Sequence, residues 1–262
     1  MVAEVIRLRS KQRRQKGLLK DLLPLSYWML NLAFLLDASW HVWALATNHT
    51  SYTLISKFLL GFTLAVLLKQ QLREKLPLTI LIAILFCLAG DILLQPLDLN
   101  YADMSGDRPV HFMLGVFCFC VAYGNLMRYY LELNPDWSDD IKTQPWPLAV
   151  NVTITLVVLI WMTLHSQAQP YLLYVLWLYS PVVVGAATLA IYTRRSASLR
   201  PFLALVAGSN VIVFSDTVIG LSVFDKISMP WLSNPVWILS SYIAGIFLIF
   251  KAVIFIEKRA AP

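Results

Sequence analysis

The chain has 262 residues, 58% of them hydrophobic and only 14% charged, with nine Trp, a formal net charge of +6 and a mean hydropathy of +0.66. That composition excludes an ordinary soluble globular domain and points to an integral membrane protein. Nor is the positive charge a nucleic-acid footprint, because the basic N-terminal stretch is short, lacks interleaved aromatic residues and runs straight into an apolar segment.

In chain order, residues 1–25 come first, with Arg7, Arg9, Lys11, Arg13, Arg14, Lys16 and Lys20. They read as a cytoplasmic segment facing anionic lipid. Eight apolar runs follow, at 26–46, 52–68, 78–95, 110–131, 146–164, 170–192, 201–221 and 236–256. Each approaches the roughly 20 residues that a helix needs to cross a hydrocarbon core of about 30 Å. The first run ends in Ala44-Leu45-Ala46, which resembles a signal-peptidase site, yet it is long and contains Asp37 and His41. It reads as a retained helix.

The expected fold is therefore all-α: one polytopic domain of eight transmembrane helices over 26–256, then a cytoplasmic tail at 257–262. With both termini cytoplasmic, only Arg108 and Lys226 fall outside and only Lys57 and Lys251 lie deep within spans, Arg128 being counted with the inner loop at the end of its run. The rest of the 21 Lys and Arg lie on the inner side, as the positive-inside bias requires. The compact chain without a cleavable signal leads us to expect a bacterial inner membrane. Asn48-His49-Thr50 is a sequon of consequence only in a eukaryotic secretory membrane.

Several chemistries find no support. Cys87, Cys118 and Cys120 lack CxxC spacing, and His41, His49, His111 and His165 are scattered, so neither a metal nor another cofactor is expected. There is no phosphate-binding glycine loop and no GxSxG elbow.

What remains is the polar content of the spans. Asp91 and Asp216 sit inside strongly apolar sequence. A carboxyl at that depth costs about 2.5–3.5 kcal/mol on insertion scales, so it needs a polar cavity or a partner. At about 1.5 Å per residue, both lie about 20 Å from the inner face, at the level that Lys57, His41 and Tyr242 also reach. Five helices thus deliver polar groups to one layer. Structural alternatives exist for each: Lys57 snorkelling to headgroups, Asp37 and His41 pairing one turn apart, Tyr242 anchoring in an aromatic belt, the two aspartates tying helices together.

The residues also carry a family resemblance. Gly90-Asp91 closes one apolar run, Phe112-Met113-Leu114-Gly115 is followed one turn on by Phe119, and Phe214-Ser215-Asp216-Thr217 is followed by Phe224. With Lys57 opening the second run and Tyr242 in Ser241-Tyr242-Ile243-Ala244-Gly245, the chain over 26–256 resembles the YhhN family of lysoplasmalogenases, which includes the mammalian transmembrane enzymes. It departs from the family at Phe58, where Pro is usual after the Lys, and at Tyr123, where many members carry His. The basic N-terminal extension also looks long for the family.

The resemblance implies hydrolysis of the vinyl-ether bond of a lysophospholipid substrate, a lysoplasmalogen, to a fatty aldehyde and glycerophosphocholine or glycerophosphoethanolamine. That reaction needs a general acid to protonate carbon and a group to stabilise the resulting oxocarbenium ion and activate water. Two carboxyls in different environments suit it. Asp91 and Asp216 are the expected catalytic pair, without a metal. Asp216, flanked by the hydroxyls of Ser215 and Thr217, is the better candidate for the ionised partner. Substrate contacts are expected from Lys57, Tyr242, Ser215, Thr217 and His41. The competing class is a transporter or channel, in which intramembrane Asp and Lys mark an ion path. A receptor or scaffold with structural aspartates is a third.

Overall fold

A computed structural model describes residues 28–47, 49–72, 75–94, 109–166, 170–224 and 234–259. The basic segment 1–25 and the residues Asn48, Arg73, Arg108 and Lys226 lie outside the described residues.

All regular structure among the described residues is helical. In chain order the helices are α1 (Trp28–Ala46), α2 (Thr50–Leu72), α3 (Leu78–Leu93), α4 (Pro109–Leu133), α5 (Trp137–Thr143), α6 (Trp146–His165), α7 (Pro170–Tyr192), α8 (Leu199–Phe224) and α9 (Pro235–Arg259). In hydrocarbon, a helix is the structure that satisfies each backbone group within its own segment. The scattered hydroxyls are absorbed the same way. Thr155, Thr163, Ser180 and Thr217 each donate to the carbonyl four residues back, at 2.6–2.9 Å.

Among the described residues seven helices are long and apolar enough to cross a membrane. The remaining expected span corresponds to α3, whose 16 residues extend about 24 Å, short of a hydrocarbon core of about 30 Å. The short helix α5 lies where the sequence reading has only a polar connection.

Six helices close into a ring. α2 packs on α3, α3 on α4, α4 on α7, α7 on α8, α8 on α9, and α9 returns to α2. Two helices lean on the ring from outside. α6 packs on α7, where Asn151 donates to Thr188 at 2.9 Å and the Trp177 indole donates to Thr163 at 3.0 Å. α1 reaches α9 through the stacked rings of Phe34 and Phe247, 5.0 Å apart, and α2 through His41 and Ser56.

Small residues set the closest crossing. A Cβ on Gly208 of α8 would stand 2.7 Å from the carbonyl oxygen of Gly245 on α9, so glycine lets the two backbones touch. The outward surface is apolar, with Leu78, Leu164 and Leu178 all more than two-thirds exposed, as a lipid-facing surface requires.

At one end of the bundle a polar latch ties the helix termini. Asn134 donates to Asp140 at 2.8 Å and to the carbonyl of Tyr192 at 2.7 Å, and Arg195 pairs with Asp140 at 2.6 Å. Tyr129 donates to Glu257 at 2.8 Å, and Lys258 bonds Gln71. The C-terminal ends of α2, α4, α7 and α9 therefore share one face, the alternation that the expected topology demands.

Candidate active site

The ring is not solid at its centre. A cavity of about 710 Å³, including its open mouth, is lined by side chains from all six ring helices. Lys57 comes from α2, Asp91 from α3, Phe112 and Phe119 from α4, Tyr179 from α7, Asp216 from α8 and Tyr242 from α9. The walls are otherwise mostly apolar. A few convergent polar groups in an apolar concavity is the usual form of a small-molecule site.

Asp91 is held by a cation and a phenol. The Lys57 ammonium lies 3.7 Å from Asp91 Oδ1 and donates to the Asp91 backbone carbonyl at 3.2 Å. The Tyr242 hydroxyl donates to Asp91 Oδ2 at 3.1 Å. Lys57 is only 5% exposed, so it does not snorkel to the headgroups, and Tyr242 is buried rather than a belt anchor. Gly90 serves the same assembly, since a Cβ there would stand 2.8 Å from the Phe119 ring. Phe119 in turn meets Tyr242 edge to face at 6.0 Å and stacks on Tyr123 at 5.9 Å.

Asp216 is held differently. The Tyr179 hydroxyl donates to its Oδ2 at 2.5 Å, and Tyr123, whose ring lies 6.1 Å from that of Tyr179, stands behind it with its own hydroxyl buried and without a hydrogen-bond partner. The hydroxyls next to Asp216 in sequence do not serve it. Ser215, fully buried, donates to the carbonyl of Ile238 at 2.8 Å and so ties α8 to α9. Thr217 donates to the carbonyl of Val213 at 2.7 Å. The reason is azimuth: consecutive helical residues are turned by about 100° from each other, so neither neighbour shares the direction of Asp216.

His41 stands one chamber away. A second cavity, about 490 Å³ with its mouth, is lined by Phe34 and His41 of α1 and shares Lys57, Asp91, Leu239 and Tyr242 with the first. His41 Nδ1 lies 2.6 Å from Ser56 Oγ. The Ser56 hydroxyl also has the Tyr52 carbonyl 2.7 Å away as an acceptor. Nε2 is buried without a hydrogen-bond partner. Asp37 is not its mate, for both carboxylate oxygens of Asp37 also lack a hydrogen-bond partner.

Two site residues have no place in the sequence argument. Tyr179 is absent from it, and Tyr123 enters only as a departure from the family's His. Tyrosines are common in spans as interfacial anchors, so nothing in the chain distinguishes a phenol that faces a carboxylate. Among the described residues no cluster of three His, Cys, Asp or Glu is placed to hold a metal ion.

Fold and site together define a multi-pass helical membrane protein with two carboxyls in one intramembrane cavity. The chain belongs to the YhhN family, whose family model matches residues 52–253. That match spans Lys57, Asp91, Tyr179, Asp216 and Tyr242 but stops short of α1 and His41. No curated protein and no solved structure matches the chain.

Proposed function

We propose that this protein is a lysoplasmalogenase, hydrolysing the vinyl-ether bond of lysoplasmalogens in a membrane, a bacterial inner membrane in our reading, with its basic face cytoplasmic. The observation that carries this reading is the placing of two unlike carboxyls on one apolar cavity: Asp91 with an ammonium at 3.7 Å, Asp216 with a phenol at 2.5 Å. Such a pair divides acid from base by environment. Asp91, beside Lys57, carries the negative charge, and Asp216 carries the proton. This reverses the order suggested by Ser215 and Thr217, whose hydroxyls are committed to backbone carbonyls.

The steps balance. Asp216 gives its proton to the vinyl carbon bonded to the hydrocarbon chain, and the π electrons form the new C–H bond, leaving an oxocarbenium ion. Water attacks the carbon bonded to oxygen while Asp91 takes the water proton. The hemiacetal then collapses: Asp216 recovers a proton from the hemiacetal hydroxyl, the C–O bond to glycerol breaks, and Asp91 protonates the departing oxygen. Both carboxyls end as they began. Lys57 favours the charged form of Asp91 at the start and end of the cycle, and Tyr242 and Tyr179 orient the two carboxyls.

The test uses purified protein in detergent with lysoplasmalogen in deuterated water. Aldehyde is expected, carrying one deuterium on the carbon next to the carbonyl, and none is expected from the corresponding acyl lysophospholipid. A transporter releases no aldehyde under these conditions. Aldehyde without carbon-bound deuterium would remove the protonation step.

A further inference from the structure

A third cavity, about 530 Å³ with its mouth, opens between α6, α7 and α8 and shares Leu176, Tyr179, Asp216 and Gly220 with the central one. We infer that this chamber binds the hydrocarbon chain of the substrate and thereby fixes which vinyl carbon meets which aspartate. The inference rests on the lysoplasmalogenase reading.

Three observations support it. First, the chamber is more apolar than its residue names suggest. Its hydroxyl residues, Thr155, Ser180 and Thr217, each donate to the carbonyl of their own helix four residues back, so they offer the cavity no free donor. The rest of the lining is Val, Ile, Leu, Met and Gly apart from Tyr179 and Asp216, which bond each other at the wall of the central cavity. Second, Gly220 lies on both cavities, and the side chain beside it is the flexible Met162, whose methyl would stand 3.2 Å from a Cβ there. Third, the chamber on the opposite side carries Lys57, Asp91 and the imidazole of His41 on its wall, where a hydrocarbon chain would have to pack against charged groups.

The chemistry agrees with the geometry. In a vinyl ether the carbon to be protonated is bonded to the hydrocarbon chain, and the carbon that water attacks is bonded to oxygen. A chain seated beyond Asp216 puts the first carbon beside Asp216 and displaces the second toward Asp91. This assigns the same acid and base as the Lys57 contact does, from an independent feature.

The test fills the chamber without touching the two carboxyls. Val158→Trp on α6 and Val184→Phe on α7 project bulk into it, while Val152→Trp on the exposed side of α6 is the control. Binding of saturated alkyl-ether lysophospholipids, which cannot be hydrolysed this way, is measured with short and long chains beside aldehyde release from the matching vinyl ethers. Either filling variant is expected to weaken long-chain binding by about tenfold for every two methylenes displaced, with short-chain binding and turnover kept. The control should match wild type. If short- and long-chain ligands lose affinity equally, or neither does, the chamber is not the chain site. If filling variants change chain-length preference in binding but the wild-type protein releases no aldehyde, the chamber stands and the lysoplasmalogenase reading falls.

Discussion

Lys57→Met tests the contact that assigns the base. The substitution keeps an unbranched apolar stem and removes the ammonium 3.7 Å from Asp91 Oδ1 and 3.2 Å from the Asp91 carbonyl. At that separation the attraction is about 4 kcal/mol with an effective dielectric of about 20. The net cost of removing one partner is about 3–5 kcal/mol, because the other is left buried without its counter-charge. For a chain of this size that corresponds to a fall in Tm of roughly 10 °C, read by thermal unfolding in detergent. Turnover should fall by about 10²–10⁴ as Asp91 loses the charge it needs as a base. The double variant Lys57→Met with Asp91→Asn removes both charges. Its stability should return most of the way to wild type while its turnover stays lost, which separates the pair's coupling from its chemistry. The reasoning is refuted if Lys57→Met is as stable as wild type, or if the double variant is no more stable than the single one.

The remaining expectations are simpler. Asp91→Asn and Asp216→Asn, near-isosteric changes, should each lower aldehyde release by about 10²–10⁴ while the protein stays folded and membrane-inserted; full activity in either would end the pair mechanism. Tyr179→Phe removes the hydroxyl that donates to Asp216, so kcat should fall about tenfold with KM little changed, and an unchanged kcat would mean that this bond does not orient the acid. Gly208→Ala puts a Cβ 2.7 Å from the backbone oxygen of Gly245, and the forced separation of α8 from α9 should cost about 1–3 kcal/mol in thermal unfolding. No loss there would show that the two backbones can part at this crossing without cost.

Several features were legible in the chain because they follow from depth along a helix. Lys57, Asp91, Asp216 and Tyr242 reach one level by counting residues, and they line one cavity. Rotation about the helix axis was not legible. Ser215 and Thr217 sit beside Asp216 in sequence, yet one bonds α9 and the other its own helix. His41 reaches the same level but faces Ser56 and a neighbouring chamber. Tyr179 carries no local signal, since its meaning depends on α7 standing next to α8 in the ring. The latch through α5 was equally hidden, because Asn134, Asp140 and Arg195 are polar residues in connections until folding brings them together.

The sequence by itself determined that this chain is helical and apolar enough to span a membrane, and at which positions along its helices the charges stand. Length, hydropathy and the need to satisfy backbone groups in hydrocarbon leave little else. Only the tertiary structure decided which carboxyl has an ammonium beside its phenol, which has phenolic company alone, and where the apolar chamber opens. Those depend on contacts between helices distant in sequence, whose rotations are set by close packing at points such as Gly208 against Gly245 and Gly90 against Phe119.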